Sequence, residues 1–112
     1  MRIITLNANG IRAAARKQFF DWLPTQDADV VCLQETRAQP EQRKAPEFSP
    51  EGYQTYYVDA ERKGYSGVAI YSRKEPDRVI EGLGWKAFDR EGRWVQADYG
   101  RLSVVSVYMP SG

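Results

Sequence analysis

Two strand-like runs, RIITL at residues 2–6 and DVVCLQ at residues 29–34, decide the fold of this chain. Between them, apolar residues recur about every 3.6 positions over residues 11–23, which predicts an amphipathic helix that ends at Pro24. The second run is almost wholly apolar and therefore favours a strand buried on both faces. A strand, a helix and a strand in this order predict a βαβ unit with parallel strands, and hence an α/β fold.

Further along the chain, the pattern predicts two antiparallel hairpins. Residues 53–58 and 67–72 are the first pair of strand-like runs, and residues 93–99 and 102–108 are the second, joined by a two-residue turn. Residues 36–52 contain three prolines, so we expect an irregular surface segment with at most a short helix. Neither a repeat nor a linker divides the chain, which favours a single domain.

Length and composition exclude several classes of protein. The chain has 112 residues, 42% of them hydrophobic, and a net charge of +1, which exclude a disordered chain and a globally basic DNA-binding protein. No apolar run approaches the ~18 residues of a membrane span, and residues 1–4 lack a signal-peptide pattern, so we predict a cytoplasmic protein without membrane contact. The absence of histidine excludes a Ser-His-Asp triad within these residues, and the lone Cys32 is predicted to be a buried, inert thiol.

Polar side chains follow both strands of the predicted βαβ unit. Asn7 and Asn9 come directly after the first strand, and Glu35 follows the second. Because the carboxyl ends of parallel strands lie at one edge of a sheet, we expect these side chains to lie close together. One carboxylate with amide and water oxygens is a ligand set typical of Mg²⁺. The residues alone leave other interpretations open, since asparagine at a strand exit often forms a turn or helix cap and a glutamate there is often simply solvated.

Four motifs spread over the chain resemble one known family. They read LNANGIRA at residues 6–13, LQET at 33–36, GYSGVAIYSR at 64–73 and YMPSG at 108–112. In this order and at these spacings they are similar to successive motifs of exodeoxyribonuclease III, the Mg²⁺-dependent abasic-site endonuclease group of the endonuclease/exonuclease/phosphatase superfamily. Arg37 departs from the family pattern, because relatives commonly carry lysine after LQET, but it keeps the positive charge.

The resemblance implies the first half of a two-sheet α/β sandwich, with a mixed sheet and a flanking helix. In the family each half of the chain supplies one sheet, so the valine-rich run at residues 102–107 is expected to offer an apolar face to a second sheet. The family's later Gly-Asp-x-Asn and Asp-His motifs have no counterpart in this sequence. We therefore expect residues 1–112 to form the amino-terminal part of a single nuclease domain that lacks its carboxyl-terminal half.

The resemblance also implies roles for individual residues. Glu35 would bind the catalytic metal, Asn7 would support that metal site and its catalysis, and Tyr108 would stabilise charge on the scissile phosphate. The residues implied in DNA binding are Asn9, Arg12, Gly64 and Tyr65. Together they predict a metal site that borders a DNA-binding surface.

The function implied by the resemblance is that of a DNA-repair nuclease. Such an enzyme hydrolyses phosphodiester bonds at abasic sites and 3′ ends of double-stranded DNA with Mg²⁺, or with Mn²⁺ in its place. Two alternatives stay open: a related phosphoesterase acting on a non-DNA substrate, and an inactive truncated fragment with a DNA-binding or structural role. The NGIRA and GYSGVA segments favour DNA. Because half of the family's active-site motifs are missing, we expect these residues alone to be inactive.

Overall fold

Two β-sheets face each other in the computed structural model, which describes residues 1–110. The first sheet has the strand order β1-β2-β4-β3, formed by β1 (Ile3–Asn7), β2 (Val30–Gln34), β3 (Gln54–Val58) and β4 (Val68–Ser72). The second has the order β5-β6-β7, formed by β5 (Arg78–Ile80), β6 (Trp94–Tyr99) and β7 (Leu102–Val107). The final two residues of the YMPSG motif, at 111–112, lie outside the described residues.

The first sheet is mixed, as the sequence predicts. Strands β1 and β2 run parallel, with Asn7 opposite Gln34, whereas β4 pairs antiparallel with both β2 and β3. The four residues 30–33 of β2 are buried, because helices cover one face of the sheet and the second sheet covers the other. Cys32 is buried among them, and burial raises the pKa of its thiol to about 11, so the thiol stays neutral at physiological pH.

The predicted helix over residues 11–23 is broken. Helix α1 (Ile11–Arg16) and helix α2 (Phe19–Trp22) are separated at Gln18, whose φ of +69° is left-handed, and a 3₁₀ turn (Leu23–Gln26) follows. The 3.6-residue period continues across the break because both short helices pack on the same face of the sheet. The pattern therefore locates the buried positions of this segment correctly but does not predict the break between the two helices.

The two sheets pack on each other within this chain, which corrects the expectation that these residues supply one sheet only. The inward side chains of β2 and β4 meet those of β6 and β7 in one core cluster; its buried members are Val30, Cys32, Val68, Ile70, Val95, Ala97, Tyr99 and Val104. The inward face of β7 is therefore covered here, and is not left open for another chain segment. The two-sheet α/β sandwich itself is confirmed.

The remaining segments are short or irregular. The segment after β2 contains only two 3₁₀ turns (Pro40–Gln42 and Pro46–Phe48), as its prolines predict, although Phe48 is buried and anchors it to the core. The loop between β5 and β6 contains helix α3 (Lys86–Asp89). No helix in the described part of the chain is long and apolar enough to cross a membrane.

Candidate active site

Parallel pairing of β1 and β2 brings Asn7 and Glu35 together. The two strand exits stay joined by backbone hydrogen bonds, in which Ala8 N–H donates to the Gln34 carbonyl (2.8 Å) and Gly10 N–H donates to the Glu35 carbonyl (2.7 Å). The Asn7 Nδ2 group consequently donates to Glu35 Oε1 over 2.9 Å. Asn7 and Glu35 therefore lie in contact at this edge of the sheet, as the sequence predicts.

The Asn7 amide is held at both ends. Its Oδ1 atom accepts a hydrogen bond from the Asn9 N–H at 2.9 Å, while its Nδ2 group faces Glu35. An asparagine at a strand exit was also expected to form a turn, and this one combines that turn with a contact to the carboxylate. In this orientation Asn7 fixes the position of Glu35 and directs its own oxygen to the backbone.

Glu35 is an enclosed carboxylate with three polar neighbours. Its side chain is 13% exposed, and its Oε2 atom accepts from the Arg37 guanidinium. The hydrogen bond from Asn7 lowers the pKa of the Glu35 carboxyl; Arg37 and the Tyr108 hydroxyl lower it further, against the opposing effect of burial. Glu35 is therefore ionised at neutral pH and available as an anionic oxygen ligand.

Tyr108 reaches the same site from the second sheet. A contact between the sheets aligns β7 with β2, because Gln34 Nε2 donates to Ser106 Oγ over 3.1 Å. The Tyr108 N–H donates to the Arg93 carbonyl over 2.9 Å and continues the pairing of β7 with β6 by one residue. Burial and then the negative charge of Glu35 raise the pKa of the Tyr108 hydroxyl. The hydroxyl thus keeps its proton at neutral pH and can donate a hydrogen bond to an anion held beside Glu35.

The donor set fits a hard divalent cation that keeps most of its water. Glu35 is a carboxylate, and no cluster of three or more His, Cys, Asp or Glu side chains able to hold a metal occurs within residues 1–110. Mg²⁺ is commonly bound through one or two carboxylates while waters complete its shell, so a single ionised glutamate suits it and a fully protein-ligated metal does not fit. Glu35 is the residue that would hold the ion, with Asn7 orienting it.

We call Asn7, Glu35 and Tyr108 the carboxylate cluster. A basic groove, which we define by Asn9, Arg12, Arg16, Arg37 and Gly64, borders it. Its volume is about 280 Å³. Arg12 and Arg16 are exposed and one helical turn apart on α1, so both guanidinium groups can reach an anion in the groove. Three of the residues with an expected DNA contact, Asn9, Arg12 and Gly64, are thus brought together.

Tyr65 lies apart from the basic groove. Its ring is half-buried in a neighbouring groove with Arg62 and Arg90, and its hydroxyl accepts a hydrogen bond from Arg93 Nη2 at 3.1 Å. Since Arg93 also holds the backbone of Tyr108, Tyr65 is linked to the carboxylate cluster through one arginine.

Sequence reasoning missed two positive residues of this region, Arg16 and Arg37, and left a third, Arg93, undecided. The helical period places Arg16 only on the polar face of the predicted helix, although its spacing of four residues from Arg12 is a usable signal. Arg37 was noted only as a substitution for lysine. Arg93 lies in the charged segment before β6, and the sequence favours a DNA contact and a solvated surface equally there. The contacts of Arg37 with Glu35 and of Arg93 with Tyr65 depend on which loops lie together in the fold, and the local sequence pattern does not show this.

Gly67 is required where the loop after Glu35 meets the loop before β4. The Thr36 N–H donates to the Gly67 carbonyl at 3.1 Å, and Thr36 is fully buried. Gly67 has a φ of +85°, and a Cβ atom there would lie 2.3 Å from Thr36 Oγ1. Any side chain at Gly67 must therefore displace the buried side chain of Thr36, the residue that follows Glu35.

We expect Gly67→Ala to lower the free energy of unfolding by about 1–3 kcal/mol, because left-handed strain and the contact with Thr36 add together. Urea denaturation followed by circular dichroism measures the change. Gly64→Ala is the matched control, since Gly64 also has a positive φ (+72°) but a Cβ atom there would meet nothing within 4 Å. Equal losses in the two variants would contradict the role given to Thr36.

Comparison with known proteins covers almost the whole chain. The model of the Endonuclease/Exonuclease/phosphatase family matches residues 4–110. The chain is 42% identical over 112 residues to the exodeoxyribonuclease of Bacillus subtilis. It is 32% identical over 111 residues to the DNA-(apurinic or apyrimidinic site) endonuclease of Dictyostelium discoideum. Among solved structures, the Xenopus laevis APE2 catalytic domain superposes with a TM-score of 0.85 at 31% identity.

These relatives are longer than the chain. The match covers 99% of this chain in each case but only 43% of the Bacillus protein, 30% of the Dictyostelium protein and 46% of the Xenopus domain. The chain therefore spans less than half the length of the proteins it resembles.

Proposed function

Because the chain belongs to the endonuclease/exonuclease/phosphatase family, we propose that it carries the metal-binding part of a DNA-repair nuclease. The reaction would be Mg²⁺-dependent hydrolysis of phosphodiester bonds at abasic sites and 3′ ends of double-stranded DNA. The observation that carries the proposal is the ionised Glu35, held by Asn7, faced by Tyr108 and bordered by the basic groove. The names of the relatives, an exodeoxyribonuclease and an abasic-site endonuclease, support DNA as the substrate.

Each residue of the site has a defined task in this proposal. Glu35 would hold Mg²⁺, or Mn²⁺ in its place, and the bound ion supplies Lewis-acid polarisation of the phosphate. Tyr108 donates a hydrogen bond to the phosphoryl oxygen on which negative charge develops. Asn7 keeps Glu35 in one orientation, while Arg12 and Arg16 bind phosphates of the DNA backbone.

A general base for the attacking water is expected from a further part of the complete nuclease. Within residues 1–110 no other carboxylate is among the groups that shift the pKa of Glu35, and the sequence has no histidine. The proposed partners are therefore double-stranded DNA and the remainder of the nuclease domain. A cytoplasmic location stays a prediction.

The DNA-binding part of the proposal is testable in a hybrid protein. We define the hybrid as these 112 residues replacing the matching 43% of the Bacillus subtilis exodeoxyribonuclease. We expect Arg12→Ala to weaken binding of an abasic duplex several-fold and to reduce the slope of log K against log salt by about 1, because one phosphate contact is lost. Fluorescence anisotropy with Ca²⁺ in place of Mg²⁺ measures both quantities without cleavage.

Arg101→Ala is the matched control for Arg12→Ala. Arg101 is also exposed and carries the same charge, but it lies in the turn between β6 and β7, at the opposite end of β7 from Tyr108. We expect affinity and salt slope to stay at the wild-type values. If both variants changed binding to the same extent, the basic groove would have no specific part in holding DNA.

A further inference from the structure

The Glu35 carboxylate has three polar side chains as neighbours in this site. Asn7 occupies Oε1 of Glu35, the Arg37 guanidinium occupies Oε2, and the Tyr108 hydroxyl also faces the group. Arg37 at the same time lines the basic groove together with Arg12 and Arg16. Arg37 thus both contacts the carboxylate cluster and lines the groove.

Resting on the proposed function, we propose that Arg37 is shared between two alternative partners and thereby couples them. It pairs with Glu35 while the carboxylate carries no metal, and it turns into the basic groove to hold a DNA phosphate when a divalent cation is bound at Glu35. Cation and DNA phosphate therefore bind more tightly together than either does alone.

The contacts of Glu35 identify Arg37 as the group that must move. A cation needs a carboxylate oxygen and repels a neighbouring guanidinium, whereas Asn7 is neutral and can remain on Oε1. The Arg37 side chain is 44% exposed, compared with 13% for Glu35, so the arginine has room to rotate and the glutamate is confined. The Arg37 N–H donates to the Ser66 carbonyl at 2.9 Å, which anchors the backbone and restricts the change to the side chain.

The lining of the basic groove explains why the released arginine needs an anion. No acidic residue of the described chain lines the groove, and Arg12 and Arg16 already place two positive charges there. Moving the Arg37 guanidinium away from Glu35 and towards these two charges is unfavourable without an anion and favourable once a phosphate is present. Without DNA, Arg37 therefore stays on Glu35 and competes with the cation; with DNA, that competition ends.

The experiment measures Mn²⁺ binding by the 112-residue chain itself through paramagnetic broadening of the Asn7 side-chain amide signal in NMR spectra. It compares wild type, Arg37→Gln and Arg37→Lys, each without DNA and with a short undamaged duplex. For wild type we expect DNA to raise Mn²⁺ affinity about tenfold. For Arg37→Gln we expect tighter Mn²⁺ binding without DNA and a smaller gain from DNA. Arg37→Lys keeps the charge and should keep much of the coupling.

The outcomes separate this inference from the proposed function. If Mn²⁺ affinity without DNA is unchanged or lower in Arg37→Gln, or if DNA raises it as much as in wild type, the inference is wrong although the metal site stands. If Mn²⁺ fails to broaden the Asn7 signal in wild type, or broadens it equally in Glu35→Gln, the metal site itself is wrong and both proposals fall.

Discussion

Replacing Glu35 by glutamine in the hybrid is expected to slow Mg²⁺-dependent cleavage of an abasic duplex by roughly 10³-fold or more, because groups that act as one catalytic unit lose most of the rate together. Glutamine keeps the size of the side chain and its link to Asn7 but removes the negative charge that would hold the cation. The loss should appear in turnover, since the substitution leaves the proposed DNA contacts of Arg12 and Arg16 in place. Single-turnover cleavage of an end-labelled duplex at saturating enzyme measures it.

The matched control for this variant is Glu47→Gln. Glu47 is an exposed glutamate in a 3₁₀ turn that belongs neither to the carboxylate cluster nor to the basic groove. We expect its cleavage rate and its Mg²⁺ dependence to match those of the unmodified hybrid, and thermal melting should show both variants folded. Wild-type cleavage by Glu35→Gln, with wild-type Mg²⁺ dependence, would remove Glu35 from the active site.

The 112-residue chain alone is expected to cleave an abasic duplex no faster than background, with or without Mg²⁺. Phosphoryl transfer needs a metal clamp, an activated water and a stabiliser of negative charge, all positioned together. In the proposal Glu35 serves the first task and Tyr108 the third; within residues 1–110 no other carboxylate is among the groups that shift the pKa of either side chain, which leaves the second task without a base. An endpoint assay with labelled abasic DNA, with and without EDTA, tests this.

Two samples serve as comparisons in that assay. The first is the hybrid, and the second is the 112-residue chain mixed with the carboxyl-terminal part of the Bacillus subtilis exodeoxyribonuclease as a separate polypeptide. We expect EDTA-sensitive cleavage in the hybrid, and weaker cleavage when the two parts are mixed. EDTA-sensitive nicking by the 112-residue chain, absent from its Glu35→Gln variant, would show that these residues hold a sufficient site.

The position of the candidate site could be predicted from the sequence because it depends on one local rule. Parallel strands end at the same edge of a sheet, so recognising two strands around a helix was enough to place Asn7 beside Glu35. The hairpin of β6 and β7 could be predicted as well, since a two-residue turn joins an alternating run to a valine-rich run and fixes their register.

Other features depend on contacts between distant segments, and sequence pattern does not carry them. The break at Gln18 follows from packing two short helices on one sheet, and a period of 3.6 residues is the same with or without it. Strand β5 has three residues, too few for an alternating pattern. The position of Tyr108 requires the second sheet to align with the first through Gln34 and Ser106.

The packing of both sheets against each other within this chain could not be predicted from the sequence pattern. Alternation along β6 and β7 shows that one face is apolar, but it does not say which surface covers that face. The resemblance suggested a sheet from elsewhere, whereas the covering side chains come from β2 and β4. The place of Arg37 in the basic groove was missed for the same reason, since Gly64 lies beside it only in the folded chain.

The most direct test of the central claim is cleavage by the hybrid of three substrates side by side: an abasic duplex, the same duplex without the lesion, and a small aryl phosphate ester. The claim that Glu35, Asn7 and Tyr108 form the site of a DNA-repair nuclease predicts rapid incision at the abasic site. That incision should stop with EDTA, return with Mg²⁺ and fall strongly in Tyr108→Phe. Hydrolysis of the small ester while the abasic duplex stays intact, or incision indifferent to EDTA and to Tyr108→Phe, would contradict it.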